Sequence, residues 1–388
     1  MRPAVVATMY ALLATVAAVQ AILLATHNYN GQTYTEYNNY VIFKYSWYHL
    51  LGGKNMYILH PSEYFDLYKY SPTFSLAMGL LASMPDWLGL LLWDMLNALV
   101  LVWAVRLLPL PGRRQTMILW FCLLELLTSM QNSQSNGLMA GLMIAAYGHL
   151  YRGKHMWAAL WLVVATFVKV YGAVGFAMFL FFPGKPRFIV WAAIWAILLA
   201  ILPLAVTAPA TLVWQYHNWA AMMAQDESAS YGMSVMGWLH SWFGLVEGKR
   251  LVSLIGIILF LIPFARIALW RDKLYQLLIL ASMLLWVIIF NHKAESPTFV
   301  IAVAGAAIWY YAQPSVRWHL WLILFVFIFT SVGTTDIFPP PLRKSFMLPY
   351  TIKALPCIVL WVVVWAQLMT LKPGRAIAGG MATNTVNG

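Results

Sequence analysis

Apolar runs of roughly 15 to 25 residues, separated by short polar breaks, recur from Ala4 to Leu371. This pattern constrains the chain more than any motif does. Runs of that length suit helices enclosed by lipid or protein, whereas the strands of a membrane barrel would alternate residue by residue. Composition agrees: 62% of residues are hydrophobic, only 9% are charged, and the mean hydropathy is +0.73, which excludes an ordinary soluble domain. The expected class is an all-α polytopic membrane protein. The first run, Ala4 to Thr26, follows Arg2 and shows no small-residue cleavage site, so it reads as a retained span.

The net charge of +12 is scattered through short loops, a distribution that argues against nucleic acid as a partner and for cytoplasmic connections under the positive-inside rule. Basic breaks fall at Arg106/Arg113/Arg114, Arg152/Lys154, Lys185/Arg187, Arg266/Arg271/Lys273, Arg317 and Lys372/Arg375. Placing all of them inside predicts about twelve helices, 4–26, 87–106, 116–130, 135–151, 156–168, 170–182, 187–207, 251–270, 274–291, 298–312, 317–332 and 349–371, with both termini inside. The chain then forms one integral-membrane domain over 1–375, with outer loops 27–86 and 208–250 and a disordered cytoplasmic tail at 376–388. Cys122 and Cys357 lie in apolar runs, and no CxxC, HExxH, Walker or dinucleotide signature occurs, so neither a metal nor a cofactor is expected.

Two irregularities follow from this topology. Pro72 to Met84 is too short to cross and is expected as an interfacial or re-entrant helix. Met156 to Phe182, as one straight helix, would be about 40 Å long and would bury Lys169 near the bilayer centre at a cost of about 2.5 to 3.5 kcal/mol. A hairpin of two short helices instead puts Lys169 at an outer apex, with Gly172 suited to the turn. In the first outer loop, Tyr40, Phe43, Trp47 and Leu50/Leu51 recur at helical spacing before Gly52-Gly53, which predicts an amphipathic helix on the outer membrane surface with Glu36 and Asn39 near its start. Residues 208–250 predict a short helix and a flexible polar loop.

The unusual polar residues then gather at the outer end: Glu36, Asn38, Asn39, Lys69, Tyr70, Glu125, "QNSQSNG" (131 to 137), Lys169, "NHKAESP" (291 to 297) and Asp336. Polar clustering in a membrane is costly, and a functional site is its default explanation. Glu125 and Asp94 also suit inter-helix hydrogen bonding. Lysine and histidine beside carboxylates and carboxamides suit a lipid-attached phosphate: Lys169, with His292 or Lys293, would neutralise charge as phosphate leaves. Glu36, Asp66 and Glu295 are the candidates to accept a hydroxyl proton.

Five segments, "NYVIFKYSWYHLLGGKNMY" (39 to 57), "YKYSPTFSLAMGLLASMPDWLGLLLWDMLN" (68 to 97), "QSNGLMAGLM" (134 to 143), "ATFVKVYG" (165 to 172) and "HKAESPTF" (292 to 299), together resemble the landmarks of glycosyltransferase family 87. The resemblance implies a GT-C fold and a hexosyltransferase, mannose favoured, that uses a polyprenyl-phosphate sugar. The acceptor would be a lipid-linked or envelope glycan, or a glycolipid, on the outer face of the bacterial cytoplasmic membrane. It places Tyr70 with Lys169, Lys293 and His292 near the donor phosphate, and Lys69, Gln134 and Asn136 among the substrate-binding residues. The family's acidic residue at the head of the first outer helix falls on Asn39, which cannot act as a base, so Glu36, His292 and Glu295 remain candidates for that role. Membrane lipids are the other expected partner. A carrier or flippase for lipid-linked sugars, an inactive lipid-sugar binder, and a glycan ligase or polymerase are the alternative classes. The first is disfavoured by the absence of an internal repeat, and the last by the single arginine, Arg250, in 208–250.

Overall fold

The computed structural model describes residues 3–24, 26–29, 31–225, 230–314, 316–333, 335 and 337–372. The expected tail at 376–388 and Asp336 lie outside the described residues. The fold is all-α apart from one small hairpin. In chain order come α1 (Pro3–Leu23), β1 (His27–Tyr29), β2 (Gln32–Tyr34), α2 (Asn38–Leu51), α3 (Pro72–Ala82), α4 (Asp86–Arg106), α5 (Gly112–Gln131), α6 (Asn136–Tyr151) and α7 (His155–Val168). A 3₁₀ segment, Val170–Phe181, precedes α8 (Lys185–Ile201), α9 (Pro209–Gln225), α10 (Val235–Phe243), α11 (Lys249–Leu261), α12 (Lys273–Ile289), α13 (Phe299–Tyr311), α14 (Arg317–Val326), α15 (Pro340–Leu342) and α16 (Leu355–Thr370). Residues 4–23, 86–106 and 185–205 are long and apolar enough to cross a membrane. α8 buries only Phe188 of its side chains and exposes Ile189, Val190 and Ile197, as a lipid-facing helix does.

The helix that sequence places over 156–182 is broken as expected. Lys169 adopts an extended backbone (φ −140°, ψ 126°), and the 3₁₀ segment folds back on α7. Gly172 matters for proximity and not for turn geometry, because a Cβ there would lie 2.6 Å from the Ala165 carbonyl carbon. The same logic operates in the core, where α6 is buried almost throughout and lies against α4. Gly137 and Gly141 form a small-xxx-small pair on that face, and a Cβ on Gly141 would meet Val100 at 2.8 Å.

Several expectations need correction. The helix at the first outer loop exists, but Tyr40, Ile42, Phe43 and Leu50 are buried and α2 packs on α3, so its apolar face is covered by protein and not by a membrane surface. Phe43 stacks edge-on against Tyr70, Phe74 and Trp93. The segment before it holds an antiparallel β1–β2 hairpin that the sequence reading missed. Residues 208–250 contain two helices, α9 and α10. Pro203 and Pro263, lacking an amide hydrogen, each open a 3₁₀ turn where continuous helices were expected. The last span begins at Leu355, not near 349, because residues 348–354 form turns.

One of those turns carries a side chain whose role sequence did not suggest. Lys353 Nζ donates to both carboxylate oxygens of Glu125 (2.9 and 3.0 Å) and to Ser296 Oγ (2.9 Å), with Glu125 0% and Lys353 2% exposed. Glu125 is thus half of a buried ion pair that ties α5 to the entrances of α13 and α16. Such a pair gains little net stability over apolar packing, yet removing one partner strands the other charge. Lys353→Met or Glu125→Gln alone is expected to cost about 3 to 5 kcal/mol, and the double variant Glu125→Leu/Lys353→Met less than either. Thermal unfolding in detergent measures this; additive losses in the double variant would contradict a charge-stranding origin.

Candidate active site

The loops at one end of the bundle converge on Lys169. Its Nζ donates to Asn136 Oδ1 at 2.8 Å, and it stands 5.8 Å from the ring centre of Tyr70 and 5.9 Å from that of Tyr171. Asn136, the first residue of α6, is held by its own amide: Nδ2 donates to Gln134 Oε1 (2.8 Å) and to the Pro297 carbonyl (3.0 Å). Gln134 Nε2 in turn donates to Glu295 Oε2 at 2.8 Å. Tyr70 Oη lies 3.3 Å from Ser135 Oγ. A single connected network therefore joins the α7 apex, the α5–α6 turn and the α12–α13 loop, with Tyr70 from the α2–α3 connection packed beside it.

Local structure explains why these side chains are so placed. Ser133 takes a positive φ of 50° and donates its amide hydrogen to the Met130 carbonyl, so the α5–α6 turn reverses within a few residues. Trp93 Nε1 donates to the Ser133 carbonyl, and Asn97 Oδ1 accepts from the Leu138 amide, so α4 fixes the start of α6. The Ser71 amide donates to the Phe167 carbonyl, joining the head of α3 to the α7 apex. Gly232 (φ 59°) sits where a Cβ would meet the His292 carbonyl at 2.5 Å, and the Met233 amide donates to the Ala294 carbonyl, so residues 232–233 brace the α12–α13 loop.

Electrostatically the site is a cation whose direct hydrogen-bond partner is neutral, with the Glu295 carboxylate further along the same network. Lys169 retains some exposure, but protein surrounds its ammonium closely enough that burial brings its pKa down to about 8, with Lys69 lowering it further and Glu295 acting against both. Among the described residues, no carboxylate lies within ion-pair distance of Lys169; its hydrogen bond is to a neutral amide. Tyr70 is pushed well up by burial and stays a neutral phenol.

Of the residues expected from sequence, Tyr70, Gln134, Asn136, Lys169 and Glu295 meet in this network. His292 and Lys293 lie partly exposed on the same loop as Glu295. Lys69, one residue before Tyr70, pairs with Asp66 at 3.3 Å on the rim, and its carbonyl accepts from Trp219 Nε1. Asn39 donates to the Asn132 carbonyl (2.9 Å), so it tethers α2 to the α5–α6 turn. Glu36 lies elsewhere in contact terms: it is 39% exposed and faces His27 Nδ1 at 3.4 Å across from the β-hairpin. Sequence reasoning missed Tyr171, Ser135 and Lys353; the first two sit inside quoted motifs, whereas Lys353 is marked only as a charge within the run 349–371.

The basic loops collect at the other end. Arg114 donates to the Tyr311 carbonyl, Arg152 to that of Leu107, and Arg266 to those of Leu368 and Leu371, while Lys185 lies 4.6 Å over Trp270. No curated protein gives a match to the chain. The sequence profile of glycosyltransferase family 87 matches residues 68–331, the greater part of the chain, and that stretch spans Lys69, Tyr70, Gln134, Asn136, Lys169, His292 and Glu295. A lipid-facing helical bundle with a cationic, carboxylate-bearing network at one end, matched across both by this profile, is a membrane glycosyltransferase: the chain belongs to glycosyltransferase family 87.

Proposed function

We propose that the protein transfers a hexose, mannose favoured, from a polyprenyl-phosphate sugar to a lipid-linked or envelope glycan on the outer face of the bacterial cytoplasmic membrane. The observation that carries this reading is the Lys169 ammonium, largely enclosed, bonded to the neutral Asn136 amide and flanked by aromatic faces. An enclosed charge without a counterion is costly unless a ligand supplies one, and a phosphate does. Separation of the polar end from the arginine-rich end supports an extracytoplasmic site under the positive-inside rule, and with it the twelve-span GT-C arrangement.

In this mechanism the acceptor hydroxyl oxygen attacks the anomeric carbon as the bond from that carbon to the phosphate oxygen breaks, inverting the centre. The electron pair leaves with the polyprenyl phosphate, whose growing negative charge Lys169 stabilises, with His292 and Lys293 on the neighbouring loop. The acceptor's proton passes to a carboxylate. Glu295 is favoured over Glu36 because Gln134 connects it to the Lys169–Asn136 pair, whereas Glu36 is engaged with His27. Gln134 and Asn136 orient these groups, and Lys69 and Tyr70 line the approach. Asn39 serves as a tether for the turn and takes no proton.

With a radiolabelled polyprenyl-phosphate mannose and a membrane glycan acceptor, purified protein is expected to release polyprenyl phosphate. Lys169→Ala lowers turnover at least about tenfold without lowering expression. Absence of release with several hexoses, together with lipid flipping in liposomes, would favour a carrier instead. Glu295→Gln is expected to abolish most turnover and Glu36→Gln to spare it; the reverse result reassigns the base.

Because the Lys169 ammonium of the free enzyme is charged below about pH 8 and neutral above it, kcat/KM for the donor falls as pH rises through that value. Lys169→Arg, charged throughout, should flatten this alkaline limb even if its rate is lower. An alkaline limb unchanged in the arginine variant would detach Lys169 from the leaving phosphate.

A further inference from the structure

Away from the Lys169 network, the last turn of α2 and the loop that follows bring together His49, His60 and Glu63. One ligand-capable atom from each lies within 4.8 Å of the others. The environment is not that of a solvated surface cluster. His49 is 1% exposed, and neither of its ring nitrogens has a hydrogen-bond partner. Glu63 Oε2 is likewise buried without a hydrogen bond: it approaches His49 Nε2 to 2.6 Å, but not in hydrogen-bonding alignment. Tyr64, whose ring centre is 6.2 Å from that of His49 and 5.8 Å from that of His60, closes one side.

Orphaned polar atoms of this kind cost about 1 to 3 kcal/mol each, and an ion between the three residues would take a lone pair from one ring nitrogen of His49 and one from Glu63 Oε2. A proton shared between His49 and Glu63 would satisfy the same two atoms but would draw on nothing from His60, whose ring centre is 4.0 Å from that of His49. His60 has the second-layer support typical of a metal ligand: its Nε2 lies 2.8 Å from the Asn55 carbonyl, and donation to that oxygen leaves Nδ1 with its lone pair. Two imidazoles and a carboxylate suit a borderline divalent ion such as zinc. Around tetrahedral zinc, ligand atoms stand about 3.3 Å apart, a spacing that falls between the 2.6 Å approach and the 4.8 Å limit found here, so binding moves Glu63 away from His49 and turns the two imidazoles, 4.0 Å apart at their ring centres, toward a common point.

We propose that His49, His60 and Glu63 bind one divalent transition-metal ion, zinc by preference, as a structural staple between α2 and the connection to α3. That connection is already pinned on either side of the three residues. Tyr34 Oη donates to the Pro61 carbonyl, Asn38 exchanges hydrogen bonds with the Phe65 backbone, and Tyr57 Oη donates to the Tyr70 carbonyl. The ion fixes the middle of a loop whose far end delivers Lys69 and Tyr70. The site does not depend on the reaction proposed above, and no step of that reaction passes through the metal.

Full-length protein purified in detergent, loaded with zinc and dialysed against metal-free buffer, should retain about one zinc per chain by mass spectrometry of the metal. His49→Ala and Glu63→Gln should each lose it. Cobalt in place of zinc should give the visible absorption of a tetrahedral N/O site in the wild-type protein. Chelation should lower the melting temperature of wild-type protein by several degrees and leave that of Glu63→Gln unmoved. Wild-type protein that retains no metal and whose melting temperature ignores both zinc and chelator contains only a histidine–carboxylate contact, and the proposal fails. It fails equally if zinc is retained undiminished in both variants. Should the variants not fold, the wild-type metal content and cobalt spectrum still decide.

Discussion

The hydrogen bond from Lys169 to Asn136 holds the working end of the molecule together. An ammonium within an apolar helix is costly, and the chain reverses at Lys169, where the extended backbone creates a hairpin in place of a single span. The amide that receives the ammonium begins α6, the most enclosed helix of the bundle, and its nitrogen end holds both Gln134 and the loop before α13. One asparagine thereby joins three connections that are distant in sequence. Because the partner of the ammonium is neutral, the same bond that organises the loops leaves the charge available to an anion.

Precision at that point depends on close helix packing beneath it. Side chains cannot fasten helices by hydrophobic burial alone when lipid is equally apolar, so backbone approach becomes the available source of attraction. α6 reaches α4 through Gly137 and Gly141, and the hairpin closes through Gly172 against Ala165. The buried Lys353–Glu125 pair adds specificity to this packing: it couples α5, the start of α13 and the approach to α16 at one point, so the loop carrying Glu295 is held from behind by Ser296. Polar groups inside this bundle thus fall into two kinds, those that are fully paired and those that leave a valence open. Lys353 and Glu125 are of the first kind and Lys169 is of the second.

Much of the site was legible in the sequence because its residues break local rules. Lys169 interrupts an apolar run, "QNSQSNG" is too polar for a turn of its length, and His292 to Glu295 place several charges next to an apolar helix. Each anomaly marks a cost that something must offset, and Tyr70, Gln134, Asn136, Lys169 and Glu295 do converge. Glu36 does not join that network: the β1–β2 hairpin, invisible in so short and polar a segment, gives it His27 as a partner. Lys353 was overlooked although it falls inside the run 349–371 read as the last span, because its partner is more than two hundred residues away.

By itself, the sequence determined that this is a helical membrane protein, that the run from 156 to 182 breaks at Lys169, and which residues could not be ordinary lipid-facing positions. The physical reason is that hydrophobic run length, proline, and the penalty for an isolated charge act locally along the chain. Tertiary structure alone decided which polar groups satisfy one another, that the apolar face of α2 is covered by α3 rather than by a surface, and that His49, His60 and Glu63 meet. Those outcomes depend on through-space distances between loops, and side-chain chemistry at one position holds no record of what the fold will bring beside it.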